Sequence, residues 1–301
     1  MFETFQEAAA QQAASGAAAG DPLTQPIEQA RARQDAYFRS LAGVLPAVGA
    51  MRDFAVPGPH GAVPIRLTEL VTDGEHGCIV FIRGAGFWAG GLESHARTVN
   101  TLANASGCAV CTVDYRRTPE HAFPVQRDEV LATLRWLREE RTALGLSPVE
   151  PVLFGESAGA TIALTAALAL RDAGEPRPSG LVLFYNNGTG AKPTSRAYSQ
   201  WVWRQYVGGA DPESVPGPAP LKQALDGLPP AWIACGEDDP LLPDTLLLDQ
   251  KLTAAGVPHT MRLHPGMPHA FVMFSATLRP ALAALTEAAE AASGFLRTAG
   301  R

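Results

Sequence analysis

Ser157 stands in Gly155-Glu156-Ser157-Ala158-Gly159, a G-x-S-x-G between the apolar stretch "PVLF" and the helical stretch "AGATIALTAALALRDA". A serine hydroxyl is a weak nucleophile until a base takes its proton, and that base needs a carboxylate to hold its tautomer. Both types follow downstream. "CGEDDPLLPD" offers Glu237, Asp238 and Asp239, and "LHPGMPHAF" offers His264 and His269. The order serine, acid, histidine is that of a nucleophile elbow, where a tight strand-to-helix turn lifts the serine above a sheet. Asp239 and His269 are the first choice, each in a loop after a strand on the serine's edge. Asp238 or Glu237 remain open as the acid. His264 remains open as the base, although it directly ends the strand-like "TMRL". His60, His76, His95 and His259 read as surface or turn residues.

The chemistry such a trio supports is acyl transfer. The elbow's neighbours must be small, and the amide of Ala158 then points at the oxygen where negative charge develops, helped by the helix N-terminus. A second glycine-rich loop, "FIRGAGFWAGG", offers another reading. Gly84, Gly86 and Ala89 satisfy G-x-G-x-x-[GA], and the next strand ends in Asp114, near where a ribose-binding acid would sit. Bulky Phe87 and Trp88 occupy the places where a pyrophosphate needs close backbone approach. No dinucleotide is therefore expected in this loop.

These groups need a scaffold. "MRDFAVPG" and "VPIRLTEL" read as an antiparallel pair. Strands "GCIVFIR", "CAVCTVDY", "PVLFG", "GLVLFYN", "PPAWIACG" and "HTMRLH" then alternate with helical stretches near 94–105, 126–144, 158–173, 243–255 and 278–297. Short apolar strands alternating with helices predict an α/β fold, a mostly parallel sheet with helices on both faces. Residues 1–50 form an N-terminal cap segment, with a helix from about 26 to 45 and the first twenty residues a frayed helix or disordered. Residues 51–301 form the catalytic domain. An aromatic insertion at about 187–229 breaks the rhythm and predicts a helical cap over the carboxyl edge of the sheet.

Composition narrows the partners. A net charge of −6 without a basic cluster argues against nucleic acid. No apolar run is long enough to span a bilayer, and the Ala-rich N-terminus carries Glu3 and Glu7 but no basic region of a signal peptide, so cytoplasmic residence is expected. Cys108 and Cys111 make a C-x-x-C, yet inside a strand residues three apart point to opposite faces. With Cys78 and Cys235 in similar apolar runs, the expectation is four buried thiols.

Four ordered motifs carry a family resemblance: GESAG, Asp114-Tyr115-Arg116-Arg117-Thr118-Pro119-Glu120-His121-Ala122-Phe123-Pro124, Asp239-Pro240-Leu241, and Gly266-Met267-Pro268-His269-Ala270-Phe271. Over about residues 50–275 the chain resembles the hormone-sensitive-lipase-like branch of the α/β-hydrolases, the bacterial family IV esterases. The resemblance implies an α/β-hydrolase fold, nucleophile Ser157, acid Asp239, base His269, no cofactor or metal, and hydrolysis of small-molecule esters with short or medium acyl chains. It places Arg83-Gly84-Ala85-Gly86-Phe87 where the family has its oxyanion loop, so the amides of Ala85 and Gly86 would join that of Ala158. It also allows a homodimer through the C-terminal edge.

The departures matter. Ala85 stands for a glycine, which is harmless unless that residue needs φ > 0. If it does, the loop must rearrange; if not, its methyl would narrow the space beside the reacting carbon against tertiary alcohols. Arg83 stands for a histidine, and its guanidinium either braces the loop or binds an acidic substrate group. Phe87, Trp88, Trp201 and Trp203 either line the substrate pocket or form the core of a cap. Glu156 is expected to pack beneath the elbow, and Asp114 and Glu120 to brace loops. Lactone, amide, formamide or thioester cleavage would use the same trio. A non-catalytic receptor of this fold would be expected to lose one of its members, and all three are present.

Overall fold

The structure, a computed structural model, describes residues 1–70, 75–190, 197–211, 214–215 and 217–300. Eight strands form one sheet in the order β1-β2-β4-β3-β5-β6-β7-β8. They are β1 (Ala50–Val56), β2 (Val63–Glu69), β3 (Cys78–Ile82), β4 (Ala109–Val113), β5 (Val152–Glu156), β6 (Gly180–Phe184), β7 (Ala231–Gly236) and β8 (His259–His264). β1 and β2 pair antiparallel with each other, β2 pairs antiparallel with β4, and the remaining neighbours are parallel.

Burial follows topology. Every residue of β3 to β7 is buried, as expected of parallel strands covered on both faces. β1 and β8 are edges and alternate with solvent. On β1 and β2, Asp53 and Arg66 stand directly opposite one another and form a two-pronged ion pair at 2.7 and 2.9 Å.

Two apolar cores flank the sheet. One is built with α4 (Val125–Leu144), α5 (Ala158–Asp172) and α7 (Leu242–Ala254), the other with α3 (Ala96–Ser106) and α8 (Arg279–Ala299). Cys111 faces the first core and Cys108 the second, as alternation along a strand requires. All four cysteines are buried free thiols, and burial pushes those of Cys78 and Cys235 up to about 12. No helix among the described residues is long and apolar enough to cross a membrane.

Three further helices lie at the carboxyl edge. α1 (Phe5–Ala14) and α2 (Ile27–Ala42) come from the N-terminal segment, and α6 (Ala197–Tyr206) from the insertion. The rest of that insertion at 191–196, 212–213 and 216 lies outside the described residues. α1 corrects the expectation of fraying or disorder. Thr4 and Glu7 form a reciprocal capping box, Phe5 meets Phe274 edge-on at 5.0 Å, and Ala8 is buried. An Ala-rich helix this short is marginal alone, and packing onto the fold supplies what propensity does not.

Candidate active site

β5 ends at Glu156, and α5 begins at Ala158, so Ser157 alone makes the turn, with φ 52 and ψ −119. This left-handed backbone is strained for a residue with a side chain. The packing around it explains the two glycines. A Cβ on Gly159 would lie 1.9 Å from the carbonyl oxygen of Ile82, and one on Gly155 would lie 2.5 Å from that of Gly159. Only bare backbone lets α5 come this close to the sheet.

The loops after β7 and β8 complete the constellation. Ser157 Oγ is 3.0 Å from His269 Nε2, and His269 Nδ1 is 2.9 Å from Asp239 Oδ2. Asp239 is 4 % exposed, and its other oxygen accepts the Leu241 amide at 2.7 Å. Glu237 and Asp238 are exposed, so neither competes as the buried partner of His269. His264 packs on Phe271, its Nε2 has no partner among the described residues, and burial lowers its pKa below the usual histidine value. It stays neutral at the end of β8.

Ala85 and Gly86 lie in a tight turn after β3, where the Trp88 and Ala89 amides return to the Ala85 carbonyl. Ala85 has φ 75, Gly86 φ 59 and Phe87 φ 65. The position where the family has glycine thus does need the left-handed region, and alanine takes it at a cost of about 1 kcal/mol. The amides of Ala85, Gly86 and Ala158 make no hydrogen bond to any described residue, so all three remain available as donors.

The turn is clamped from outside. Arg31 of α2 is buried and donates to the carbonyls of Trp88 at 2.8 Å and Thr118 at 2.7 Å, and its guanidinium also grips the Glu120 carboxylate. Arg83 is fully buried and reaches away from the cavity. Its Nη2 donates to the Tyr115 carbonyl at 3.1 Å and lies 3.3 Å from Asp114, and the guanidinium stacks 3.8 Å over the Tyr115 ring. The Tyr115 hydroxyl returns to the carbonyls of Arg83 and Gly84, and burial, which pushes its pKa up to about 12, keeps it a donor. Arg83 therefore braces the loop and does not face the cavity as a substrate-binding group. Asp114 and Glu120 brace as well, each through an arginine.

Ser157 opens into a cavity of about 460 Å³ whose lining includes Phe5, Phe38, Leu41, Trp88, Val202 and Phe274. Phe87 also lines it. Trp201 and Trp203 are not among its lining residues. Trp203 is 1 % exposed, packs on Phe87 and Tyr206, and donates to Asn187 at 3.0 Å, while Trp201 meets Trp88 edge-on at 6.2 Å. Trp203 belongs to the first apolar core, and Trp201 is partly buried against it. His95, expected at the surface, is 3 % exposed and lies 2.7 Å from Glu156 beneath the elbow. Its partner is distant in sequence, and no local signal marks it.

The comparisons agree with this architecture. Residues 79–273 match the α/β-hydrolase fold family. The chain is 33% identical over 234 residues to an acetyl-hydrolase of Streptomyces hygroscopicus, covering 73% of this chain and 75% of that one. It is equally 33% identical over 227 residues to the carboxylesterase NlhH of Mycobacterium tuberculosis, covering 69% and 70%. An esterase from the bacterial hormone-sensitive lipase family superposes with a TM-score of 0.84 at 25% identity over 98% of this chain and all of the other. The chain belongs to the α/β-hydrolases and, within them, to the hormone-sensitive-lipase-like bacterial esterases. It is a carboxylic ester hydrolase.

Proposed function

We propose that the chain hydrolyses short- to medium-chain acyl esters through an acyl-enzyme on Ser157. The observation that carries this reading is the continuous relay from Ser157 Oγ through His269 to buried Asp239, at 3.0 and 2.9 Å, opening into an apolar cavity. His269 Nε2 takes the hydroxyl proton as Oγ bonds to the ester carbonyl carbon. The amides of Ala85, Gly86 and Ala158 receive the resulting oxyanion, so the charge forms on the former carbonyl oxygen facing an oriented set of dipoles. Collapse expels the alkoxide, which leaves as the alcohol with the proton from His269. Water then repeats the sequence on the acyl-enzyme and releases the acid.

The chain-length range follows the preference the family resemblance implies, and the curated relative named acetyl-hydrolase supports it. The cavity, walled by aromatic residues of α1, α2 and the segment around Phe274, has room for such esters. A p-nitrophenyl ester series from acetate to decanoate tests the reading, with Ser157→Ala as control. Activity should peak below the longest chains and fall by roughly 10⁴-fold or more in the variant. Full activity in Ser157→Ala would sink the mechanism, and a peak at decanoate would sink the chain-length assignment.

A further inference from the structure

Glu156 carries a charge that the acyl-transfer scheme leaves unused. It directly precedes Ser157, is 2 % exposed, and forms part of the cavity floor. Its Oε2 accepts a 2.5 Å hydrogen bond from the Tyr185 hydroxyl, and its Oε1 lies 2.7 Å from His95 Nε2. Oε1 has no hydrogen bond of good geometry among the described residues. The other ring nitrogen of His95 is 2.7 Å from Ser94 Oγ. A buried carboxylate without partners would take up a proton. Burial does push the Glu156 carboxyl up, but the positive field of His95, with Tyr185 and His269 beyond it, more than offsets this and holds it below the usual range. Glu156 is an anion among ordered partners.

Tyr185 connects that anion to the histidine. It leaves β6 with φ 36, in the left-handed region, and its amide donates to the Ala234 carbonyl on β7 at 2.6 Å. A tyrosine keeps so strained a backbone only where its surroundings fix it. Its ring stands edge-on to the His269 ring, 4.8 Å between centroids at 64°. Burial, then the charge of Glu156, raises the phenol well above its usual value, so Tyr185 remains the donor.

We propose that Glu156 is a positioning residue for ester hydrolysis: through Tyr185 it fixes the wall behind His269, and its charge favours the imidazolium that His269 becomes while holding the serine proton. This rests on the reading of His269 as the base. The titratable groups around that ring are Asp239 from the loop after β7, Tyr185 from the end of β6, Glu156 from the end of β5, and His95, behind Glu156, from the segment before α3. Asp239 acts by direct hydrogen bond and holds the larger share. Glu156 acts through a ring and holds the smaller.

The test measures kcat, KM and the pH profile of kcat/KM for Glu156→Gln, Glu156→Asp and Tyr185→Phe, each normalised to active sites titrated with a p-nitrophenyl phosphonate. Glu156→Gln removes the charge and is expected to lower kcat roughly 10- to 100-fold with KM within about threefold. It should also move the acid limb down by about half a pH unit, because losing a nearby negative charge makes the imidazolium less favourable. Glu156→Asp keeps the charge and should keep the limb. Tyr185→Phe keeps the ring but unties it, and should lower kcat with a smaller limb shift. A merely structural role would lower the titrated fraction and leave the limb in place. An unmoved limb with unchanged kcat per site in Glu156→Gln overturns the proposal. If that variant does not fold, unchanged kcat and limb in Tyr185→Phe overturn it instead. Activity surviving in Ser157→Ala would overturn the underlying reading, a result distinct from an unmoved limb in an enzyme that needs its serine.

Discussion

Arg31 offers a test of which bonds hold the cap segment against the active-site loop. Arg31→Ala removes an ion pair and two hydrogen bonds to carbonyls at once. The ion pair to Glu120 is half open to water, the glutamate side chain being 45 % exposed, and is worth about 0.5–1 kcal/mol. The carbonyls of Trp88 and Thr118 lose a buried charged donor, at roughly 1–1.5 kcal/mol each. The total is about 2.5–4 kcal/mol, most of it from the two carbonyls. Glu120→Gln leaves both carbonyl bonds in place and should cost under about 1 kcal/mol. Urea unfolding of both variants at one pH reads the difference directly. Because the Trp88 carbonyl belongs to the turn that presents the Ala85 and Gly86 amides, Arg31→Ala should also lower kcat several-fold while Glu120→Gln does not. Equal destabilisation by the two variants would refute the reasoning that the buried carbonyls, and not the ion pair, carry the clamp.

Further outcomes follow from single positions. The Arg31 hydrogen bond holds the Glu120 carboxyl below its ordinary 4.5, so its contribution is full above that value and fades as pH falls through the lowered one. The stability gap between wild type and Glu120→Gln should therefore close on acidification, and a gap that widened would reverse the assigned sign. Ala85→Gly removes left-handed strain of about 1 kcal/mol but adds comparable unfolded-chain entropy, so stability should move by less than ~1 kcal/mol. In the same variant, turnover of tert-butyl acetate relative to n-butyl acetate should rise, and an unchanged ratio would remove the methyl as the source of selectivity. Phe5→Ala opens the wall at Phe274 and should shift the p-nitrophenyl series towards longer chains, visible as a higher decanoate-to-acetate rate ratio. Gly159→Ala would drive a Cβ to 1.9 Å from the Ile82 carbonyl and should yield no soluble folded protein.

What the sequence revealed divides along sequence distance. The elbow, the acid loop and the base loop are each written in a few adjacent residues, and the strand–helix alternation fixes their common edge, so Ser157, Asp239 and His269 could be named and are found within hydrogen-bonding reach. Arg31, by contrast, is an ordinary helix arginine until the chain brings Trp88 and Thr118 to it. His95 reads as a turn residue because its partner Glu156 lies far along the chain, at the end of β5. α1 reads as low complexity because its stability comes from Phe274 and Ser40 rather than from its own alanines. Arg83 held two readings open, and only its burial over Tyr115 separates them.

The walls of the cavity have a different origin from its floor. Phe5, Tyr37, Leu41 and Val202 stand on α1, α2 and α6, while Ser157, Asp239 and His269 belong to turns at the ends of sheet strands. Gly155 and Gly159 leave the elbow no room for change. Freedom is thus split within one site: the elbow glycines are held by backbone contact, whereas the wall residues meet the cavity through side chains. Under the proposed reaction, exchanges on three helices would reshape the cavity and leave the relay from Ser157 through His269 to Asp239 in place.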